Sequence, residues 1–206
     1  PVAEMALRLE RDHREFCRAV LIEPRGHDAV VGALLVPSAL PDCVTGVIYF
    51  NPAGNLGMCG HATIGAVASL LETGALEITE GDSIITVDTP SGPLAAHARV
   101  REGQVTSVAI EMVPSFVFES DCEIDVAPFG KMLVDLVCVG GFFAMVAARS
   151  IGIELIPENS NRLIPLGMAV IEAANRAFTV YHPERPEVNT VDVTEFYDKD
   201  PRKGTG

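Results

Sequence analysis

Residues 60–73 read GHATIGAVASLLET and stop at Gly74, and the apolar side chains of this stretch fall on every side of a helix. Ala62, Ile64, Ala66, Val67, Ala68, Leu70 and Leu71 together cover its circumference. A helix apolar all round has to be surrounded by protein, and small residues on it let enclosing strands come close. Thr73-Gly74 reads as the helix end, with glycine where a left-handed backbone costs little. The fold must therefore supply enough strand to enclose one short, buried helix.

The rest of the chain supplies those strands. Residues 29–36 and 46–50 are strand-like, separated by a loop carrying Pro37 and Pro41. Residues 83–88, 93–100 and 105–113 follow as antiparallel strands with PSG and EGQ turns between them. Before them, Met5, Leu9, Phe16 and Val20 predict one amphipathic helix, and residues 22–28 read as a turn between short strands. Pro114-Ser115 marks a domain boundary, giving a first domain over 1–114 and a partial second domain over 115–206. In the second, buried strands are interrupted at Gly140-Gly141, and residues 159–177 predict a helix with Pro165 near its first turn. Residues 177–182 and 189–197 alternate like strands.

Composition narrows the function. The formal net charge of −13 argues against nucleic acid and against an anionic membrane surface, since both need clustered Lys and Arg. Hydrophobic residues at 48% exclude wholesale disorder. The longest apolar run, residues 136–148, is too short to span a bilayer and reads as core. No secretory h-region is visible at the start of the chain. Five cysteines, irregularly spaced and without a C-x-x-C pair, predict free thiols in a reducing cytoplasm rather than disulfides or zinc. His13, His27, His97 and His182 show no metal spacing, so no metal is expected.

The chemistry concentrates in residues 54–66, GNLGMCGHATIGA, where a flexible glycine bend delivers Cys59 to the helix start. Unpaired N–H groups and the positive end of the helix dipole favour an anion there. The same field lowers a thiol pKa from about 8.5 toward roughly 3.5–7.5 in favourable cases. Cys59 is thus placed to be a thiolate base or nucleophile, and the N–H groups of Gly60 and His61 to hold a carboxylate. The alternative is that Cys59 is a small buried hydrophobe, the usual state of a cysteine and the reading for Cys17, Cys43, Cys122 and Cys138. Cys59 and His61 are two apart, and helical residues at that spacing point to different sides, so a Cys-His dyad is not expected. The pair Phe142-Phe143 is more often core than pocket, though its Gly-Gly lead-in would let a strand end approach a ligand.

Met58-Cys59-Gly60-His61, entering an Ala/Ile/Gly-rich helix, resembles the first-cysteine motif of the proline racemase family. EPRGH (23–27), LETG (71–74), DTPSG (88–92), VPSF (113–116), GGFFAMV (140–146) and HPERPEVNTVDVTEFYD (182–198) agree in the same order. The resemblance implies a diaminopimelate-epimerase-like α/β fold, with mixed and antiparallel strands wrapped around a buried central helix in each of two pseudo-symmetric domains. It implies inversion of proline without a cofactor, by two cysteines that work as base and acid on opposite faces of the α-carbon.

Cys59 matches the first of those cysteines, and Gly60 and His61 match carboxylate-binding backbone positions. By the same resemblance Val31, Leu56, Phe142 and Val193 would form the apolar, ring-facing wall. The family's second cysteine belongs to a segment that this chain does not include, so the isolated 206 residues are expected to be inactive as a racemase. The family also contains 4-hydroxyproline 2-epimerases and trans-3-hydroxyproline dehydratases. A small-molecule substrate, proline or hydroxyproline, is implied in each case, and a homodimer by analogy. A rival of another class is a catalytically silent binding protein that keeps the fold and the carboxylate pocket.

Overall fold

The structure, a computed structural model, describes residues 1–27 and 29–198. Asp28, which closes the turn read at residues 22–28, and residues 199–206, the end of the second domain as read from sequence, lie outside the described residues. The chain divides into two units, one ending at Val113 and the other starting at Pro114.

The first unit runs α1 (Val2–Asp12), α2 (Arg14–Leu21), β1 (Gly32–Val36), β2 (Thr45–Asn51), β3 (Gly54–Leu56), α3 (Gly60–Glu72), β4 (Gly81–Thr89), β5 (Gly92–Arg101) and β6 (Gln104–Ile110). Its sheet has the order β1-β2-β4-β5-β6, with β3 also paired to β2. The pairs are antiparallel except β2 with β4, which meet in parallel at Thr45↔Val87 and Gly46↔Asp88.

Strand β2 explains why its sequence is a continuous apolar run. Side chains alternate between faces along a strand. Val47 and Tyr49 enter the cluster that includes Val67 and Leu71 of α3, while Ile48 and Phe50 enter the one built on Val2, Ala6 and Leu9 of α1. With both faces covered, no position from Gly46 to Phe50 is left for a solvated side chain.

Turn chemistry sets the register of the meander. Glu102 and Gly103, the two residues between β5 and β6, both have positive φ (54° and 73°). This is the backbone that a tight twisted hairpin requires. The Glu80 carboxylate accepts both of their amides.

Three expectations for this unit change. The single N-terminal helix is broken at His13 (φ −131°, ψ 28°). The break turns α2 so that Leu21 is its only buried residue, and Phe16 is left 49% exposed. The turn that follows connects α2, not a strand, to β1. Its Gly26 is obligatory there, because a Cβ would stand 2.0 Å from the carbonyl oxygen of Leu21. Finally, α3 is not enclosed on all sides. His61, Gly65, Ser69 and Glu72 form an exposed stripe opposite the buried Thr63, Ala66, Val67, Leu70 and Leu71.

The second unit runs β7 (Ser115–Val126), β8 (Gly130–Val139), β9 (Phe142–Ala147), the short α4 (Ala148–Ile151), a single 3₁₀ turn (Pro157–Asn159), α5 (Ser160–Ala177) and β10 (Val191–Tyr197). Its sheet has the order β10-β9-β8-β7, antiparallel except for β10 beside β9. The parallel pair is the one that α5 connects, as a crossover requires. Leu166, Val170, Ala173 and Ala174 of α5 pack on Ile124, Val134, Leu136, Phe142 and Val146 of the sheet. Asn175 fixes where β10 begins: its side chain donates to the Val191 carbonyl at 2.7 Å and accepts the Val191 N–H at 2.9 Å.

Here too some expectations change. Residues 178–182 form no strand. Phe178 closes α5 through its N–H to Ala174, and Val180 is buried as part of the connection. Pro165 is the sixth residue of α5, past the first turn, so it removes one hydrogen bond from the helix ladder.

Candidate active site

Cys59 occupies the position just before the first turn of α3, in extended backbone (φ −149°, ψ 107°). Its carbonyl accepts the Thr63 N–H at 3.0 Å, the first hydrogen bond of the helix. The amides of Gly60, His61 and Ala62 therefore lie upstream of the helical ladder. The residue is 8% exposed and belongs to the cluster of Val47, Val67 and Leu94.

The N–H groups of Ala62 and His61 face the sulfur and favour its anion, without closing a capping hydrogen bond. Burial outweighs them and pushes the Cys59 thiol above its ordinary pKa. This reverses the lowering expected from the helix dipole alone. The field is present, but the sulfur is too far out of water for it to win.

The sulfur also touches a histidine. Cys59 Sγ is 3.5 Å from Nδ1 and 3.8 Å from Nε2 of His61. The spacing argument against this contact assumed that both residues were helical. Cys59 is extended, so its side chain turns back over the first turn, where His61 sits.

The glycine-rich bend before Cys59 is pinned rather than free. Asn51 Oδ1 accepts the amides of Ala53 and Gly54, β3 pairs with β2, and Asn55 Nδ2 donates to the Ala6 carbonyl at 2.6 Å. Ser91, in the turn between β4 and β5, donates its hydroxyl to the Gly57 carbonyl at 2.8 Å. At the helix start, a Cβ on Gly60 would come 3.3 Å from Ile110 Cδ1, so glycine permits close packing against the end of β6.

Val31 and Leu56 are half-buried and pack against the same cluster as Cys59. The first unit thus holds Val31, Leu56, Cys59, Gly60 and His61, with Val31, Leu56 and Cys59 on one apolar cluster. Phe142 and Val193 belong to the second unit. Phe142 has no exposed surface and sits edge-to-face with Phe116 and Phe118, ring centroids 6.2 and 5.5 Å away. In this structure it is core rather than pocket wall. Val193 is half-buried on β10, opposite Phe143 and next to an irregularity in the ladder between Val191 and Val193.

Sequence reasoning missed what lies beneath Cys59. Thr63 donates its hydroxyl to the Cys59 carbonyl at 2.8 Å, and Tyr49 Oη lies 2.6 Å from Thr63 Oγ1. Thr63 is the one polar side chain on the otherwise apolar buried face of α3, and that was the available signal. Among the described residues, no three His, Cys, Asp or Glu side chains are grouped to hold a metal ion, and no helix is long and apolar enough to cross a membrane.

Comparison with known proteins gives a consistent result. The sequence profile of the proline racemase family matches residues 1–205. The chain is 38% identical over 175 residues to the 4-hydroxyproline 2-epimerase of Streptosporangium roseum, which covers 84% of this chain and 52% of that protein. It is 32% identical over 181 residues to the proline racemase of Clostridioides difficile, covering 88% and 54%. Among solved structures it is similar to a hydroxyproline epimerase from Agrobacterium vitis with bound trans-4-hydroxy-L-proline. That match has a TM-score of 0.91 and 32% identity, and covers 98% of this chain and 59% of the other. This chain spans about half the length of the curated relatives it matches.

Proposed function

The chain belongs to the proline racemase family, and on that premise we propose that Cys59 is one of two acid/base groups inverting the α-carbon of proline without a cofactor. The observation that carries this reading is the placement of Cys59 beside the amides of Gly60, His61 and Ala62, upstream of the first hydrogen bond of α3. The amides of Gly60 and His61 hold the substrate carboxylate. The thiol then stands beside the α-carbon rather than the carboxylate.

The raised pKa of the thiol fits an acid. A base on the far face takes the proton from Cα, and Cys59 S–H gives its own proton to the near face. The opposite enantiomer results, with Cys59 left as thiolate and the base protonated. The reverse reaction exchanges the two roles. Cys122 and Cys138 do not supply the far-face base in this reading, because both are buried in the core of the second unit. Val31 and Leu56 offer the pyrrolidine ring an apolar wall, which suits an unsubstituted ring.

A second reading, epimerisation of 4-hydroxyproline at C2, is favoured by the 38% identity to a 4-hydroxyproline 2-epimerase. It uses the same thiol and the same amides. The two readings separate in one experiment, in which the protein carrying this chain is incubated with L-proline or trans-4-hydroxy-L-proline and each mixture is resolved by chiral chromatography. D-proline forming faster supports the first reading, and the C2 epimer forming faster supports the second. Neither product forming contradicts both.

A further inference from the structure

The buried hydroxyls under Cys59 have a defined direction. Thr63 has one hydroxyl proton, and it is committed to the Cys59 carbonyl at 2.8 Å. The 2.6 Å contact between Thr63 Oγ1 and Tyr49 Oη must therefore be donated by Tyr49. The chain of donors runs one way, from Tyr49 on β2 through Thr63 on α3 to the carbonyl oxygen of Cys59. That oxygen also accepts the Thr63 amide at 3.0 Å.

The Cys59 carbonyl shares its planar, conjugated peptide group with the Gly60 N–H. Donors on the oxygen draw electron density out of the N–H, and hydrogen bonds linked in series strengthen one another in a dry interior. Tyr49 and Thr63 are both fully buried, in a cluster whose neighbours are Val47, Val67 and Leu94. A core with only packing to do would place Phe and Val here and avoid burying two hydroxyls.

We propose that Tyr49 and Thr63 are positioning residues of the Cys59 centre, a one-way relay that fixes and polarises the Cys59–Gly60 peptide and so holds the thiol against the amides of His61 and Ala62. The inference rests on the reading above only for the ligand of the Gly60 amide, a substrate carboxylate. The titratable groups that face Cys59 are His61 from α3 and Tyr49 from β2, while the side chains that approach Gly60 from the end of β6 and just beyond it are the apolar Ile110 and Met112.

The test needs no substrate. The rate at which iodoacetamide alkylates Cys59, followed on the Cys59 peptide by mass spectrometry, is measured against pH for the unaltered protein and for Thr63→Ser, Thr63→Val and Tyr49→Phe, each first shown to melt cooperatively. The relay predicts that Thr63→Val moves the midpoint up by about half a pH unit or more, roughly a threefold loss of thiolate at a given pH. Tyr49→Phe, which removes a single oxygen, should move it the same way by less, and Thr63→Ser should restore the original midpoint. An unchanged midpoint in folded Thr63→Val or Tyr49→Phe overturns the relay, as does a Thr63→Ser variant that shifts like Thr63→Val. A protein that leaves proline and hydroxyproline unchanged refutes the functional reading while the thiol measurement still decides the relay.

Discussion

The sulfur of Cys59 faces the ring of His61 nearly midway between its two nitrogens, 3.5 Å from Nδ1 and 3.8 Å from Nε2. A sulfur so placed lies on the hydrogen-bonding axis of neither nitrogen. His61 is therefore not placed as the dedicated base of a dyad, and the function proposed above uses its main-chain N–H instead of its ring.

That division of labour can be tested at one position. His61 stands in the first turn of α3, where a proline is tolerated because the amide it lacks has no helical partner. His61→Pro should keep the fold and weaken proline binding by about tenfold or more, equivalent to about 1.4 kcal/mol. His61→Ala, which keeps the amide, should weaken it by less than about threefold, close to the small effect of an exposed side chain. The proline-dependent rise in Tm measures both, and equal losses in the two variants would contradict the assignment.

Removing the hydroxyl of Thr63 should cost more stability than removing that of Tyr49. Thr63→Val leaves the Tyr49 O–H buried without an acceptor, a penalty of about 1–3 kcal/mol. Tyr49→Phe leaves Thr63 still donating to the Cys59 carbonyl, and should cost about 0.5–1.5 kcal/mol. Urea unfolding of the two variants checks the order.

The thiols predict how stability depends on pH. Burial raises the pKa of Cys17, Cys43, Cys59, Cys122 and Cys138. The folded chain thus holds these protons more tightly than the unfolded chain does. The resulting stability is fully present below the ordinary thiol value of about 8.5 and is lost as pH rises through the folded values. Tm measured in reducing buffer should fall progressively above about pH 8.5. A Tm that holds or rises into the alkaline range would show that the thiols are not desolvated.

In the second unit, Phe142→Ala should destabilise by about 3–5 kcal/mol, because a fully buried ring between Phe116 and Phe118 is replaced by a cavity. Phe143 points to the other face of β9 and is half-buried, so Phe143→Ala should cost less. Denaturant titration of the two variants distinguishes a core ring from a pocket wall. Equal costs would contradict the placement.

Much of the frame was legible because local chemistry agreed with the tertiary outcome. Gly74, with φ of +73°, ends α3 where the sequence places its end, and Gly140-Gly141 separates β8 from β9. The misreadings have physical causes. Strand β7 is hard to read because Glu119, Ser120 and Asp121 interrupt the alternation between Phe118 and Cys122, where its pairing with β8 shifts register. The helix expected through Phe16 and Val20 breaks at His13, which periodicity cannot register. Around Cys59, position along the chain was readable and environment was not. The raised thiol pKa and the Tyr49–Thr63 link arise from how α3 is laid on β2, which no spacing within one segment encodes, and the His61 contact arises from the extended backbone at Cys59.

The central claim is that the Cys59 sulfur exchanges a proton with the substrate α-carbon. The most direct measurement is deuterium uptake at Cα of L-proline in heavy water, followed by proton NMR, in the protein carrying this chain and in its Cys59→Ser variant. The account predicts loss of the Cα proton signal with the thiol present, and at least about a hundredfold slower loss with serine, the lower range of what a positioned acid/base group contributes. Equal exchange with serine at position 59 would contradict it.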